Sequence, residues 1–192
     1  FGTTIDDLTG YAVSVSSQPA GQSCSLQNES GTLAGAAISN VAVNCVTNTY
    51  SIGGTVSGLT GTLVLQNNGG DDLTLSADGP FTFNTAINDL TGYAVSISTQ
   101  PAGQSCSVDE NASGTLAGTV INNVKASCVT NAYTVSGTIS GLNGTVVLQN
   151  NGGDDLTLSA DGAFTFNTAI NDLTGYTVSI SSQPAGQSCS LQ

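Results

Sequence analysis

The sequence predicts an all-β protein built of antiparallel β-sandwich repeats of about 83 residues, and three observations predict it. The stretches 83–107 and 166–190 are the same 25 residues except for Ala94 against Thr177 and Thr99 against Ser182. Short runs of alternating apolar and polar residues recur between turn signals. No run carries the 3.6-residue period of an amphipathic helix.

The repeat sets the domain organisation. Between the two long copies the offset is 83 residues. It is 82 to an earlier copy, in which Phe1, Asp7, Leu8, Thr9, Gly10 and Tyr11 reappear as Phe83, Asp89, Leu90, Thr91, Gly92 and Tyr93. One extra residue enters between Cys106 and Cys128 relative to Cys24 and Cys45. A period this long exceeds helical and leucine-rich solenoid units and fits a whole small β domain. The reading is residues 1–47 as the rear half of one repeat, 48–130 as a complete repeat and 131–192 as the front part of a third. Periodicity leaves the phase of the unit open. Both ends fall inside a repeat, so the natural protein is expected to be longer.

Within 48–130 the alternating runs are 50–56, 62–66, 73–76, 81–83, 93–98, 105–108 and 121–129, which predicts seven strands. Asn67-Asn68-Gly69-Gly70 and Asp78-Gly79 tolerate positive φ, and both read as hairpins. Pro80 is Ala163 in the next copy, so it belongs at a strand start or a sheet edge. Gln100-Pro101-Ala102-Gly103 has the composition of a type I turn and makes the corner before the Cys106 strand. Side-chain parity puts Cys106 with Val108, Cys128 with Val124 and Ala126, and Tyr93 with Val95 and Ile97 on inward faces. The same parity puts Cys24 with Leu26 and Cys45 with Val43 and Val41, so both cysteine pairs are expected to point into a core. About four residues join Cys128 to Tyr133 with no flexible spacer, which predicts a semi-rigid rod advancing about 30 to 40 Å per repeat.

Five cysteines occupy two kinds of repeated position: Cys24, Cys106 and Cys189 are equivalent, as are Cys45 and Cys128. Pairing Cys24 with Cys45 and Cys106 with Cys128 closes loops worth about 3 kcal/mol each on the chain-entropy model and implies an oxidising compartment. Buried free thiols and a metal site are the alternatives, and zinc lacks ligands with two cysteines per repeat and no histidine. Cys189 would pair with a residue outside this segment or in another chain.

Thirteen acidic residues against one lysine, with no arginine or histidine, give a net charge of −12. Such a surface repels phosphate backbones and anionic lipid, so nucleic acid and membrane are not expected partners. No apolar run reaches the roughly 20 residues of a membrane span. Without histidine the common general base and the Ser-His-Asp and Cys-His arrangements are missing, and no catalytic residue is assigned. Asp71 and Asp72 alternate in direction on a strand, so they do not converge as an acid–base pair, and solvated turn residues are the plain reading. Calcium is the one cofactor considered. Its candidate ligands are Asp71, Asp72, Asp78 and Asp89 with their equivalents Asp154, Asp155, Asp161 and Asp172, although their spacing matches no calcium loop. Asp89 with Asn88 can instead cap the turn before Tyr93. A repeated isopeptide crosslink is excluded because Lys125 is Ala42 in the first copy, which leaves Lys125 as a surface charge. Asparagine-glycosylation triplets begin at Asn28, Asn111 and Asn143.

The run GGTVSGLTGTLVLQNNGGDDLTLSADGPFTF, then GYAVSISTQPAGQSCSV and NNVKASCVT, resembles the tandem immunoglobulin-like repeats of large bacterial surface and secreted proteins of adhesin or fibre type. The resemblance spans the whole chain. It implies extracellular, cell-surface display and spacing without catalysis. The expected function is a structural segment of a surface filament or adhesin stalk, whose partners are neighbouring repeats or like chains. Strand exchange between molecules is a variant of that reading. The alternative is a multivalent module binding glycans or another cell through loops 66–72 and 109–114, which the scarcity of aromatics weakens.

Overall fold

The computed structural model describes residues 2–192; Phe1, the first residue of the 1–47 partial repeat, lies outside the described residues. Residues 2–47 form β1 (Gly10–Ala12), β2 (Gln22–Gln27), β3 (Ser30–Thr32) and β4 (Ala42–Thr47). The stretch 48–130 forms β5 (Thr49–Tyr50), β6 (Ile52–Ser57), β7 (Leu63–Asn67), β8 (Asp71–Leu75), β9 (Gly79–Thr82), β10 (Ile87–Asn88), β11 (Gly92–Thr99), β12 (Gln104–Glu110), β13 (Ser113–Thr115) and β14 (Ile121–Thr130). Residues 131–192 form β15 (Ala132–Tyr133), β16 (Ser136–Ile139), β17 (Val146–Asn150), β18 (Asp154–Leu158), β19 (Gly162–Thr165), β20 (Ile170–Asn171) and β21 (Val178–Ser182). No helix occurs among the described residues.

In 48–130 two four-stranded sheets, ordered β13-β11-β7-β8 and β12-β14-β6-β9, contribute side chains to one core. Alternation explains which side chains enter it. Leu63 and Leu65 of β7, Tyr93 and Val95 of β11, and Val124, Ala126 and Cys128 of β14 sit two residues apart and are all buried. Ile52, Leu63, Leu65, Leu116 and Val124 are fully buried, each large aliphatic side chain contributing about 1.5–3 kcal/mol. Phe81 and Phe83 meet edge to face with ring centroids 5.9 Å apart, as do Phe164 and Phe166. The seven alternating runs correspond to β6, β7, β8, β9, β11, β12 and β14. The remaining β5, β10 and β13 are two or three residues long, too short for alternation to register.

Four expectations are corrected. The pairing is not wholly antiparallel: β6 and β14 run parallel, with Ile52 opposite Ile121 and Ser57 opposite Ser127. Asp78-Gly79 is not a hairpin, because β8 pairs with β7 whereas β9 pairs with β6, so the chain changes sheets there. The Asp78 carboxylate makes that switch by accepting N–H groups of Gly58 and Leu59 in the β6–β7 loop. The Cys24–Cys45 side of the first copy is not in a core. Residues 2–47 contain no buried residue, Cys45 is exposed and Val43 is 63% exposed, because no sheet faces β2 and β4. The link between 48–130 and 131–192 is shorter than four residues: β14 ends at Thr130 and β15 begins at Ala132.

Other expectations hold. Asn67 pairs with Asp71 around a tight hairpin, and Asn68 takes φ 52°. Pro80 lies in β9, an edge strand. The turn at 100–103 joins β11 to β12. The extra residue between Cys106 and Cys128 is absorbed by a bulge, since the register slips between Val108 and Glu110 while the equivalent β2–β4 ladder runs without a slip. In 131–192 β17 pairs with β18 and β21 as β7 pairs with β8 and β11, over a smaller core of Val146, Leu148 and Phe166.

Gly54 sits where β6 approaches β14, and an added Cβ would overlap the Val124 carbonyl. Gly54→Ala is therefore expected to lower stability by about 1–3 kcal/mol through overpacking against backbone that cannot retreat, measured by denaturant unfolding of the whole chain.

Candidate functional site

The repeated polar residues converge on one kind of work, holding the chain's own backbone. The QPAGQSC motif is the clearest case. Gln100 donates from Nε2 to the Cys106 carbonyl at 2.9 Å and accepts the Cys106 N–H at 2.7 Å. Because β12 is an edge strand, the amide occupies positions a neighbouring strand would take. Gln18 holds Cys24 and Gln183 holds Cys189 in the same way. The second glutamine, Gln104, is 4% exposed; it accepts the Thr60 N–H and donates to the Gly58 carbonyl, both at 2.7 Å. Its equivalent Gln187 accepts the Asn143 N–H and donates to the Gly141 carbonyl.

The eight calcium candidates each accept an N–H. Asp78 holds Gly58 and Leu59, and Asp161 holds Gly141 and Leu142. Asp71 accepts Thr85 N–H and Asp154 accepts Thr168 N–H, both at 3.0 Å, whereas Asp72 and Asp155 take the side chains of Gln66 and Gln149 at 2.6 Å. Asp89 accepts the N–H groups of Leu90 and Gly118, and Asp172 accepts that of Leu173. Asp71 and Asp72 open β8 instead of lying in the turn, and their partners are on different elements. Among the described residues no three Asp, Glu, His or Cys side chains gather as a metal cage. The two bonds from Leu142 and Gly141 hold the Asp161 carboxyl below the usual carboxylate range, and the Ser107 and Ser127 hydroxyls do the same for Asp109.

Cys24–Cys45 and Cys106–Cys128 are disulfides, each joining residues directly opposite in an antiparallel ladder. Intramolecular disulfides of this kind are typical of extracellular or other oxidising compartments. Cys189 is a free, half-buried thiol packed against the 131–192 core. Lys125 pairs with Glu110 at 2.8 Å with both side chains more than half exposed, so the pair adds little. Asn28 and Asn111 spend their amides on the carbonyls of Asn40 and Asn123.

Loops 66–72 and 109–114 flank β11 on its two edges, Asn68 N–H reaching the Ala94 carbonyl and Val95 N–H reaching Ala112. A cleft of about 730 Å³ lies between 48–130 and 131–192, lined by Thr60, Thr99, Gln100, Thr130, Asp172 and Leu173 among others, with no aromatic ring. Sequence reasoning missed Asn67 and Asn150, which are buried with Oδ1 bound by no protein group. Their parity with Leu63 and Leu65, and with Val146 and Leu148, was the available signal. No described protein family, curated protein or solved structure matches the chain.

Gln104→Leu strips partners from Thr60 N–H and Gly58 C=O, and is expected to cost about 1–3 kcal/mol in denaturant unfolding, against a few tenths for the exposed Lys125→Gln. For Asp161 the folded value is the lower one, so its contribution is present above the ordinary value of about 3.9 and is lost as pH falls through the folded value. The stability gap between wild type and Asp161→Ala, followed by thermal unfolding across pH, should be flat near neutrality and close below that range.

Proposed function

We propose that the chain is a structural, non-catalytic segment of an extracellular rod, made of consecutive immunoglobulin-like repeats of a bacterial surface filament or adhesin stalk. The parallel pairing of β6 with β14 carries this reading. The first long strand and the last run the same way, so the chain reaches 48–130 at one end and leaves at the other, about 30 Å further on for the ten residues of β14. A unit of that kind extends an array without doubling back.

The links support it. Asn48 alone separates β4 from β5, and Asn131 alone separates β14 from β15. Asn131 donates its N–H to the Gly103 carbonyl at 2.9 Å and accepts Asp172 N–H at 2.8 Å, and its Oδ1 accepts the Ser105 hydroxyl at 2.7 Å. Asn48 repeats all three bonds with Gly21, Asp89 and Ser23. The chain exposes 11475 Å², where a compact monomer of 19.0 kDa exposes about 8,400 Å². Extracellular display fits the two disulfides. The absence of histidine and the commitment of the repeated carboxylates to N–H groups favour a role without catalysis. The partners of this reading are the neighbouring repeats and like chains.

The placing of loops 66–72 and 109–114 at the two edges of the same end of β11 favours a second reading, a multivalent surface for glycans, which a glycan array separates from the first. Small-angle scattering tests the rod. A compact chain of this length has a radius of gyration of about 16 Å, and the proposal requires a value well above it with an elongated distance distribution. A value at the compact limit overturns it.

A further inference from the structure

We infer that Leu90 and Leu173 are preformed knobs which, seated on Gly21 and Gly103, fix the rotation between successive repeats; the inference rests on the rod reading. Leucine in the left-handed region is an outlier for a bulky side chain, yet three equivalent leucines adopt it: Leu8 at φ 64°, Leu90 at 63° and Leu173 at 62°. Strain repeated in every copy points to a use.

Around Leu90 the loop is held by its own repeat. The Asp89 carboxylate accepts Leu90 N–H, and the Thr91 N–H and hydroxyl both donate to the Asn88 carbonyl. Leu8 keeps the conformation away from any glycine of the socket kind, so the contact does not create the knob; Leu90 and Leu173 remain 56% and 77% exposed and meet their glycines by one edge only. The socket is equally independent. Gly21 and Gly103 have φ 71°, and Gly186 has φ 75° with open space around it. Where the knob is seated, a Cβ on Gly21 would stand 3.1 Å from Leu90 Cδ1, and one on Gly103 would stand 3.0 Å from Leu173 Cδ1. A Cβ at either glycine would make the leucine tip give by a few tenths of an ångström.

The two contacts at each junction do different things. Asn131 ties the two backbones by its bonds to Gly103 and Asp172, with Ser105 on its side chain. Leu173, next to Asp172, lays its side chain against Gly103 beside those bonds and limits rotation about them. Because both surfaces are shaped before they meet, little ordering opposes the contact.

Residual dipolar couplings of the whole chain test this, with 48–130 and 131–192 analysed separately. In the wild type both stretches should share one alignment tensor. Leu173→Asn deletes the branched apolar tip and keeps a residue that tolerates the left-handed region, so the loop remains folded. The variant should keep its chemical shifts outside 171–174 and lose the common tensor, with smaller couplings in 131–192. Leu90→Asn should do the same between 2–47 and 48–130. A common tensor in wild type and both variants would overturn the knob while leaving the rod intact. Separate tensors already in the wild type would overturn both.

Discussion

The pairing of β6 with β14 is the interaction on which the rest depends. It lies in the middle of the β12-β14-β6-β9 sheet, so it holds both of that sheet's outer strands to one another through the centre. Val124, fully buried, projects from it into the core, and Gly54 permits the close approach. The disulfide Cys106–Cys128 then ties the edge strand β12 to β14 directly. A parallel pair cannot be closed by a tight turn, and here its two strands are separated by the whole of the unit between them. The stretch from β6 to β14 is in that sense one long crossover connection. Its ends are held apart by the geometry that holds the sheet together.

Charge does little of the stabilising in this chain, with one lysine among 192 residues. Amides and carboxylates take over by acting as substitute backbone. Gln100 stands in for a missing strand along β12, Gln104 ties that strand to the β6–β7 loop, and Asp78 ties the same loop to the start of β9. These groups meet partners 6 to 46 residues away, so replacing any of them leaves a backbone group unpaired. The repeats thus conserve polar positions between copies as closely as apolar ones. Gln100 recurs as Gln18 and Gln183, and Asp78 as Asp161, each with the same bonds.

Where neighbours along the chain decide the outcome, the sequence was readable. Parity placed Val124, Ala126 and Cys128 on one buried face, Asn and Gly marked the turn at 67–70, and Pro and Gly marked the turn at 100–103. What escaped was long-range. A turn signal such as Asp78-Gly79 says that the chain bends and is silent on which sheet receives the next strand; that choice is made by Gly58 and Leu59, some 20 residues earlier. The N–H partners of Asp71 and Asp78 escaped for the same reason, since they lie 14 to 20 residues away along the chain. The inward parity of Cys45 and Val43 becomes burial only with a facing sheet, which residues 2–47 do not have. Asn48 and Asn131 looked like unremarkable linker residues, because only the folded chain brings a serine, a glycine carbonyl and an aspartate N–H to each.

Two junctions with the same three asparagine bonds and the same leucine on glycine have a geometric consequence for the proposed array. In that proposed array a single operation, one rotation with one translation, would carry each repeat onto the next. Repeating an operation that does not close gives a regular helix of any length, in contrast to the closed ring of a symmetric oligomer. The one length difference between copies does not disturb this. The extra residue of 48–130 sits in the bulge at Val108–Glu110, on β12 and away from Gly103 and Asn131. A bulge absorbs the insertion within one edge strand and leaves the register at Cys106–Cys128 unchanged. The one-residue difference is thereby absorbed on an edge strand, and the residues proposed to set position from one repeat to the next, Asn48 with Asn131 and Leu90 with Leu173, stay the same.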